Sequence, residues 1–235
     1  MNKVLGLYRD ENIERLIKTV ESLGSLSDEF VFVGGAVLSL YRTKEIPDPY
    51  RTTKDVDVVA EVFHMNDYYE YDEKLRHIGF LNEKEDGVIV RYVKDNDLVL
   101  DLLPHKSGVF GDTNIWFEEG VNNTETRELS ETCSIRILNL SFYLCTKIKA
   151  YSDRGRIQPP FADDKQTHDM EDIILLLRCL KKKEDILIGP KFVVSVIEEF
   201  FRKHIHDHAF LNYLDTQFYD DEIGQDELVA FLRRI

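Results

Sequence analysis

Arg51-Thr52-Thr53-Lys54-Asp55-Val56-Asp57-Val58-Val59 is the stretch whose reading decides the fold. Aspartate and valine alternate in a β-branched run, so the segment reads as a strand with both carboxylates leaving one face and the valines entering a core. Upstream, Phe30-Val31-Phe32-Val33 reads as a short strand that runs into Gly34-Gly35, with Ala36 to Tyr41 resuming as helix. Downstream, Leu98-Val99-Leu100-Asp101-Leu102-Leu103 reads as a buried strand holding one carboxylate. A carboxylate there is costly unless something cationic compensates it. In a strand–Gly-Gly–helix unit the missing side chains let backbone N–H groups approach an anion, and the helix N-terminus adds positive dipole. Alone, Gly34-Gly35 is equally a tight turn and Asp55-x-Asp57 equally a solvated strand edge. Their order, with Asp101 on an otherwise apolar strand, describes a magnesium–phosphate site.

Around this nucleus the chain alternates helix and strand. Ile13, Leu16, Ile17, Val20 and Leu23 recur at helical spacing over Glu11 to Leu23 and stop at Gly24. A loop with Pro47 and Pro49 leads to the Asp55 strand, and Tyr68 to Ile78 reads as a helix closed by Gly79. Val88 to Val93 and Leu98 to Leu103 read as strands joined across the polar turn Lys94-Asp95-Asn96-Asp97. After about residue 125 the pattern becomes helical. Following one short candidate strand, Ser134 to Leu138, come Leu140 to Tyr151, Asp169 to Leu180, Phe192 to His204 and Glu227 to Leu232. Arg154 to Asp164, with Gly155, Pro159 and Pro160, reads as an inter-helix loop. The expectation is an α+β protein: a mixed sheet flanked by helices in a catalytic domain, 1–125, and a mainly helical domain, 126–235.

At 235 residues, 43% hydrophobic and 31% charged, the chain has the composition of a globular protein with a real core. Its 30 basic and 44 acidic residues give a formal charge of −14, which argues against tight unspecific nucleic-acid binding. Much of that excess lies in Asp67 to Glu73 and Asp220 to Glu227, read as solvated faces. The N-terminal Met-Asn-Lys-Val-Leu-Gly-Leu has no secretory apolar run, and no stretch is long enough to span a bilayer. Cys133, Cys145 and Cys179 lack metal-type spacing and read as reduced thiols, so a cytoplasmic location is expected.

The chemistry follows from charge. Two magnesium ions held by Asp55, Asp57 and Asp101 would bridge the phosphates of a nucleoside triphosphate, activate an attacking hydroxyl and stabilise the leaving pyrophosphate. Asp101 is the candidate general base or orienting ligand for that hydroxyl. Further along, Lys147, Ala150, Tyr151 and Arg154 fall at i, i+3, i+4 and i+7 on one helix face. The lysine and arginine are placed to clamp a triphosphate, the plainer alternative being a solvated basic face. Asp169 and Asp172 share another face, as partners of Lys147 or Arg154 or as helix-start carboxylates.

This order of motifs resembles the nucleotidyltransferase superfamily built like DNA polymerase β, with Gly34-Gly35 in place of the Gly-Ser form. Arg51-x-Thr53-x-Asp55-Val56-Asp57 is similar, more narrowly, to the signature of the AbiEii/MenT-like family, the toxin halves of type IV toxin–antitoxin pairs. Lys147-Ile148-Lys149-Ala150 with Arg154-Gly155, then His168-Asp169-Met170-Glu171-Asp172, match that family's later motifs in order and character. The resemblance spans roughly residues 30 to 180 and leaves the helices after Gly189 unmatched. It implies catalytic roles for Asp55, Asp57, Asp101, Lys147 and Asp169, nucleotide contacts from Gly34, Gly35, Arg51, Thr53, Lys147 and Arg154, a tRNA or other hydroxyl acceptor, and a cognate antitoxin. The rivals are a transferase acting on a small molecule such as an antibiotic, and a nucleotidyltransferase fold that has lost turnover and acts by protein contacts.

Other signals are discounted. His204 and His208, at i and i+4, lack a third metal ligand, and Tyr68, Tyr69 and Tyr71 belong to a partly buried helix rather than a base-stacking platform. Trp116 and Phe117 read as core, and His105 is a weaker candidate for contact with the acceptor.

Overall fold

The computed structural model describes residues 10–44, 51–83, 90–95, 97–109, 114–154 and 164–235. Helix α1 (Glu11–Leu23) starts where the Asp10 carboxylate accepts the N–H groups of Asn12 and Ile13 at 3.0 and 3.4 Å. It ends at Gly24, whose φ of +58° a side chain would resist. Strand β1 (Val31–Val33) is wholly buried and leads through Gly34-Gly35 into a 3-10 turn, Leu38–Tyr41. Strand β2 (Asp55–Ala60) follows, then α2 (Met65–His77), β3 (Leu81–Asn82), β4 (Arg91–Lys94) and β5 (Leu98–Pro104). A short helix α3 (Trp116–Gly120) precedes β6 (Thr124–Glu128) and β7 (Ser134–Leu138).

These strands form one mixed sheet in the order β3-β4-β5-β2-β1-β7-β6. The central pair β2 and β5 is parallel, as are β1 and β7, and the other neighbours run antiparallel. Parallel pairing of β2 with β5 sets Asp57 level with Asp101, and the valines and leucines between the carboxylates, Val56, Val58, Leu100 and Leu102, are fully buried. The expected 125/126 division falls within β6, so the sheet takes its last strands from beyond it. The helical part starts at Leu140 with α4 (Leu140–Arg154) and α5 (Asp164–Arg178), followed by α6 (Lys191–His204), α7 (His208–Gln217) and α8 (Glu222–Leu232). A single apolar cluster runs from Leu16, Phe32, Val58 and Leu100 through Phe142 and Ile174 to Phe201 and Phe231. Sheet and helices therefore share one core. Among the described residues no helix is long and apolar enough to cross a membrane.

Two local expectations change. The helix expected over Ala36 to Tyr41 is only a four-residue 3-10 turn, because Ala36, Val37, Leu38 and Tyr41 are all buried rather than on one stripe. A turn that short has no macrodipole to offer an anion. The hairpin forms with Lys94 opposite Leu98 and Asp95 at φ +54°, but β4 begins at Arg91. Val88, Asn96, Pro47, Pro49, Gly155, Pro159 and Pro160 lie outside the described residues.

Candidate active site

Asp55, Asp57 and Asp101 share one sheet face at the end where β1 turns through Gly34. Asp101 is buried, Asp55 and Asp57 half-buried. Withdrawal from water, then the nearby charges of Asp55 and Asp101, push the Asp57 carboxyl from 3.8 up to about 7 against the opposing pull of Lys147 and Arg91. The cation that the buried Asp101 demanded is Arg91, its register partner on β4. Arg91 Nε donates to Asp101 Oδ1 and Nη2 to Asp101 Oδ2, both at 2.8 Å, a forked pair. The same Nη2 donates to Asp55 Oδ2 at 2.9 Å. The bond to Asp101 raises the guanidinium further above its ordinary range, so Arg91 is a fixed positive charge. Among the described residues no group of three acidic, His or Cys side chains stands ready to hold a metal ion. Arg91 instead bonds two of the three carboxylates expected to hold a metal, Asp55 and Asp101. The donor set still fits a hard divalent cation: carboxylate oxygens from adjacent strands, two of them already bridged by one positive nitrogen.

Gly34 is required where it stands. At φ +74° it is left-handed, and a Cβ there would lie 1.9 Å from Asp57 Oδ2. A Cβ on Gly35 would lie 2.6 Å from the Thr53 methyl and 3.9 Å from an Arg51 guanidinium nitrogen. The glycine pair therefore lets Asp57, Thr53 and Arg51 close on the turn. Tyr143 of α4 fixes it from the other side, donating its hydroxyl to the Gly34 carbonyl at 2.9 Å. Burial holds that hydroxyl well above its ordinary range, so it remains a donor. Tyr41 stacks on Tyr143 with centroids 4.4 Å apart and donates to the Leu138 carbonyl.

Thr53 is placed as a support. Its hydroxyl donates to the Asp55 carbonyl at 3.1 Å, and its N–H is accepted by Asn12 Oδ1 at 3.0 Å. Asn12 Nδ2 in turn donates to the Arg51 carbonyl, so buried Asn12 brackets the approach to β2.

Helices α4 and α5 bring the second motif alongside. Lys147 Nζ donates to Asp172 Oδ2 at 2.7 Å, with both side chains almost fully buried. Arg51 lies 3.8 Å from the same oxygen. Asp169 pairs instead with Arg154, and burial raises its carboxyl against that arginine's pull. Asp172, not Asp169, is thus the residue that holds Lys147. Lys147 and Arg51, two cations sharing the single carboxylate of Asp172, sit next to Asp57 and Gly35.

The remaining candidates are structural. His105 lies just beyond the opposite end of β5, about 13 Å along the strand from Asp101; its Nδ1 accepts from the Val62 N–H. His204 bonds the Phe200 carbonyl and packs against the Phe200 ring, while His208 is exposed. Tyr68 is tied to Tyr92, and Tyr71 packs on Phe30. Phe117 is buried, and Trp116 packs on Phe142 and Phe192. Arg91, Tyr143 and Asn12 are the site residues the sequence reading did not assign, while Asp172 takes the part of Lys147 partner that it shared there with Asp169. Arg91 was within reach of it, since the Lys94–Leu98 turn fixes a register that sets Arg91 against Asp101.

The family described as nucleotidyl transferase AbiEii toxin, type IV TA system, matches residues 15–235. No curated protein matches the chain. Similar solved structures include an antigenic nucleotidyltransferase-like protein from Paracoccidioides brasiliensis, 18% identical over 88% of this chain and 94% of that one with a TM-score of 0.49. Another is the antibiotic-resistance factor ANT(2'')-Ia, 11% identical over 85% and 97% with a TM-score of 0.46.

Proposed function

This chain belongs to the AbiEii nucleotidyltransferase family, and from that premise we propose that it moves a nucleoside monophosphate from a nucleoside triphosphate to a tRNA hydroxyl, with magnesium, as the toxin of a type IV pair. The observation that carries the reading is the corner where Asp55, Asp57 and Asp101 face the Gly34 turn beside Lys147 and Arg51. In the reaction the acceptor oxygen bonds to the α-phosphorus, the bond from that phosphorus to its bridging oxygen breaks, and pyrophosphate leaves. Asp101 orients the hydroxyl and takes its proton. Asp55, Asp57 and Asp101 are the residues that would hold magnesium, which when bound supplies positive charge to the triphosphate and acidifies the hydroxyl. Lys147, seated by Asp172, and Arg51 add the charge that receives the β- and γ-phosphates, with Arg154 further along the same helix. Thr53 and Gly35 shape that wall. Asp169 holds Arg154 in place.

The thiols Cys133, Cys145 and Cys179 carry no disulfide, which supports a reducing compartment such as the cytoplasm. A cognate antitoxin encoded next to this chain is the expected partner. The formal charge of −14 favours a second reading, in which the acceptor is a cationic small molecule rather than RNA. One experiment separates them. The protein is incubated with each α-phosphate-labelled nucleoside triphosphate, magnesium, and either purified tRNA or an RNA-free extract. Label in tRNA that is lost in Asp57→Asn supports the first reading; label confined to small molecules supports the second. No label in either rejects both.

A further inference from the structure

Arg91 does more than neutralise a buried acid. Its Nη2 lies 2.9 Å from Asp55 Oδ2 and 2.8 Å from Asp101 Oδ2, so one nitrogen bridges carboxylate oxygens from two neighbouring strands. The position of Nη2 thus reaches both carboxylates at once, and it is a position that a cation shared by Asp55 and Asp101 would take. A magnesium ion holds its oxygens at about 2.1 Å; an oxygen can serve a metal and a hydrogen bond at once, but a cation placed between these two oxygens takes the position of Nη2 and repels its charge. The forked geometry offers a way out. Nε bonds Asp101 Oδ1, a separate oxygen, so Arg91 can keep one anchor on Asp101 while its Nη2 leaves Asp55. The side chain is 27% exposed, enough for the guanidinium to turn toward solvent.

We propose that Arg91 is a built-in counter-cation that occupies the bridging oxygens of Asp55 and Asp101 in the metal-free protein and must be displaced when a divalent ion enters. This rests on the reading of Asp55, Asp57 and Asp101 as metal ligands. In this role Arg91 is a positioning residue. It holds two strands' carboxylates together without metal, at the expense of affinity for the free ion. The incoming cation competes with a resident one, so binding of the free ion is weak in the absence of nucleotide.

The test is direct binding of Mn2+, read as the loss of the free-ion paramagnetic resonance signal, in chelator-stripped protein without nucleotide. The parent, Arg91→Gln and Arg91→Lys are compared, and thermal melts are recorded with and without Mn2+. Arg91→Gln removes the cation and should bind Mn2+ at least about tenfold more tightly, the scale of one nearby charge close to the water-screened limit. It should melt lower than the parent without metal and recover when Mn2+ is added. Arg91→Lys keeps a charge but not the fork, and should bind with intermediate affinity. That variant carries the test where Arg91→Gln is too unstable to purify. Equal or weaker Mn2+ binding by the folded variants overturns the proposal, as does a failure of all three proteins to bind. Tighter binding by the variants in a parent that shows no magnesium-dependent transfer upholds Arg91's role and rejects the function. Transfer by the parent with unchanged Mn2+ affinity in the variants does the reverse.

Discussion

Asp57→Asn should make the metal-free protein more stable at neutral pH, and the gain should grow as pH rises. The side chain lies against Gly34, level with Asp101 and within the field of Asp55. Burial, then those two charges, carry its ionisation from 3.8 to about 7. The unfolded chain therefore loses this proton well before the folded one does. Stability is fully present below the unfolded value and is lost as pH rises through the folded value. At about 1.4 kcal/mol per pH unit, ionising Asp57 in the fold costs ~4 kcal/mol above pH 7, and water reaching the half-buried carboxyl reduces this to about 2–4 kcal/mol. Asparagine keeps the shape and never ionises. In a chelator at pH 8 its melting temperature should exceed the parent's by roughly 4–16 °C for a chain of this size. By pH 5 the gain should fall to roughly half or less. Saturating magnesium should reverse the order, since the parent's ionised cluster then has its cation. An Asp57→Asn protein that is no more stable than the parent at pH 8, or equally stabilised at pH 5, would refute the account of a strained carboxylate.

Three further substitutions probe the walls of the site. Lys147→Ala leaves the buried Asp172 with Arg51, at 3.8 Å, as its remaining ion-pair partner among the described residues, and chemical denaturation should show a loss of about 3–5 kcal/mol; adding Asp172→Asn should restore most of that but not transfer, and restored transfer would make the pair mere scaffold. Tyr143→Phe removes the donor to the Gly34 carbonyl, costing about 1 kcal/mol of stability and raising KM for the triphosphate more than it lowers kcat; steady-state kinetics with an unchanged KM would contradict that positioning role. Gly34→Ala must strain a φ of +74° and push Asp57 aside, so denaturation should show a loss of at least about 1–2 kcal/mol. The loss should shrink in an Asp57→Ala background, where the clashing carboxylate is gone, and additive losses would show that the two do not touch.

Wherever the side-chain period reported burial, sequence and structure agree. Glu11–Leu23 and Ser134–Leu138 fall where apolar spacing and Gly24 place them, and β2 alternates over its first four residues, Asp55 to Val58, before its end is buried on both faces. The edge strand β6, Thr124-Glu125-Thr126-Arg127-Glu128, was illegible because no position in it is fully buried, so no apolar stripe records its pairing. The turn after Gly34-Gly35 failed for the opposite reason. Ala36, Val37 and Leu38 are all buried, and a wholly apolar segment carries no period to distinguish an α-helix from a 3-10 turn.

The candidate site shows a different limit. Its carboxylates can be named from sequence because a charge inside an apolar strand is anomalous by itself. Most of the residues around them cannot, because Tyr143 and Asn12 are ordinary residues in their own elements and acquire meaning only from what lies opposite. Asp169 and Asp172 share a helix face, and the one that meets Lys147 is decided by how α5 lies on α4. Arg91 is the instructive exception. A buried aspartate requires a cation, and a short hairpin fixes its cross-strand neighbours, so these two rules together point from Asp101 to position 91. The demand made by one anomalous charge, traced through a register, reaches a residue that no motif names.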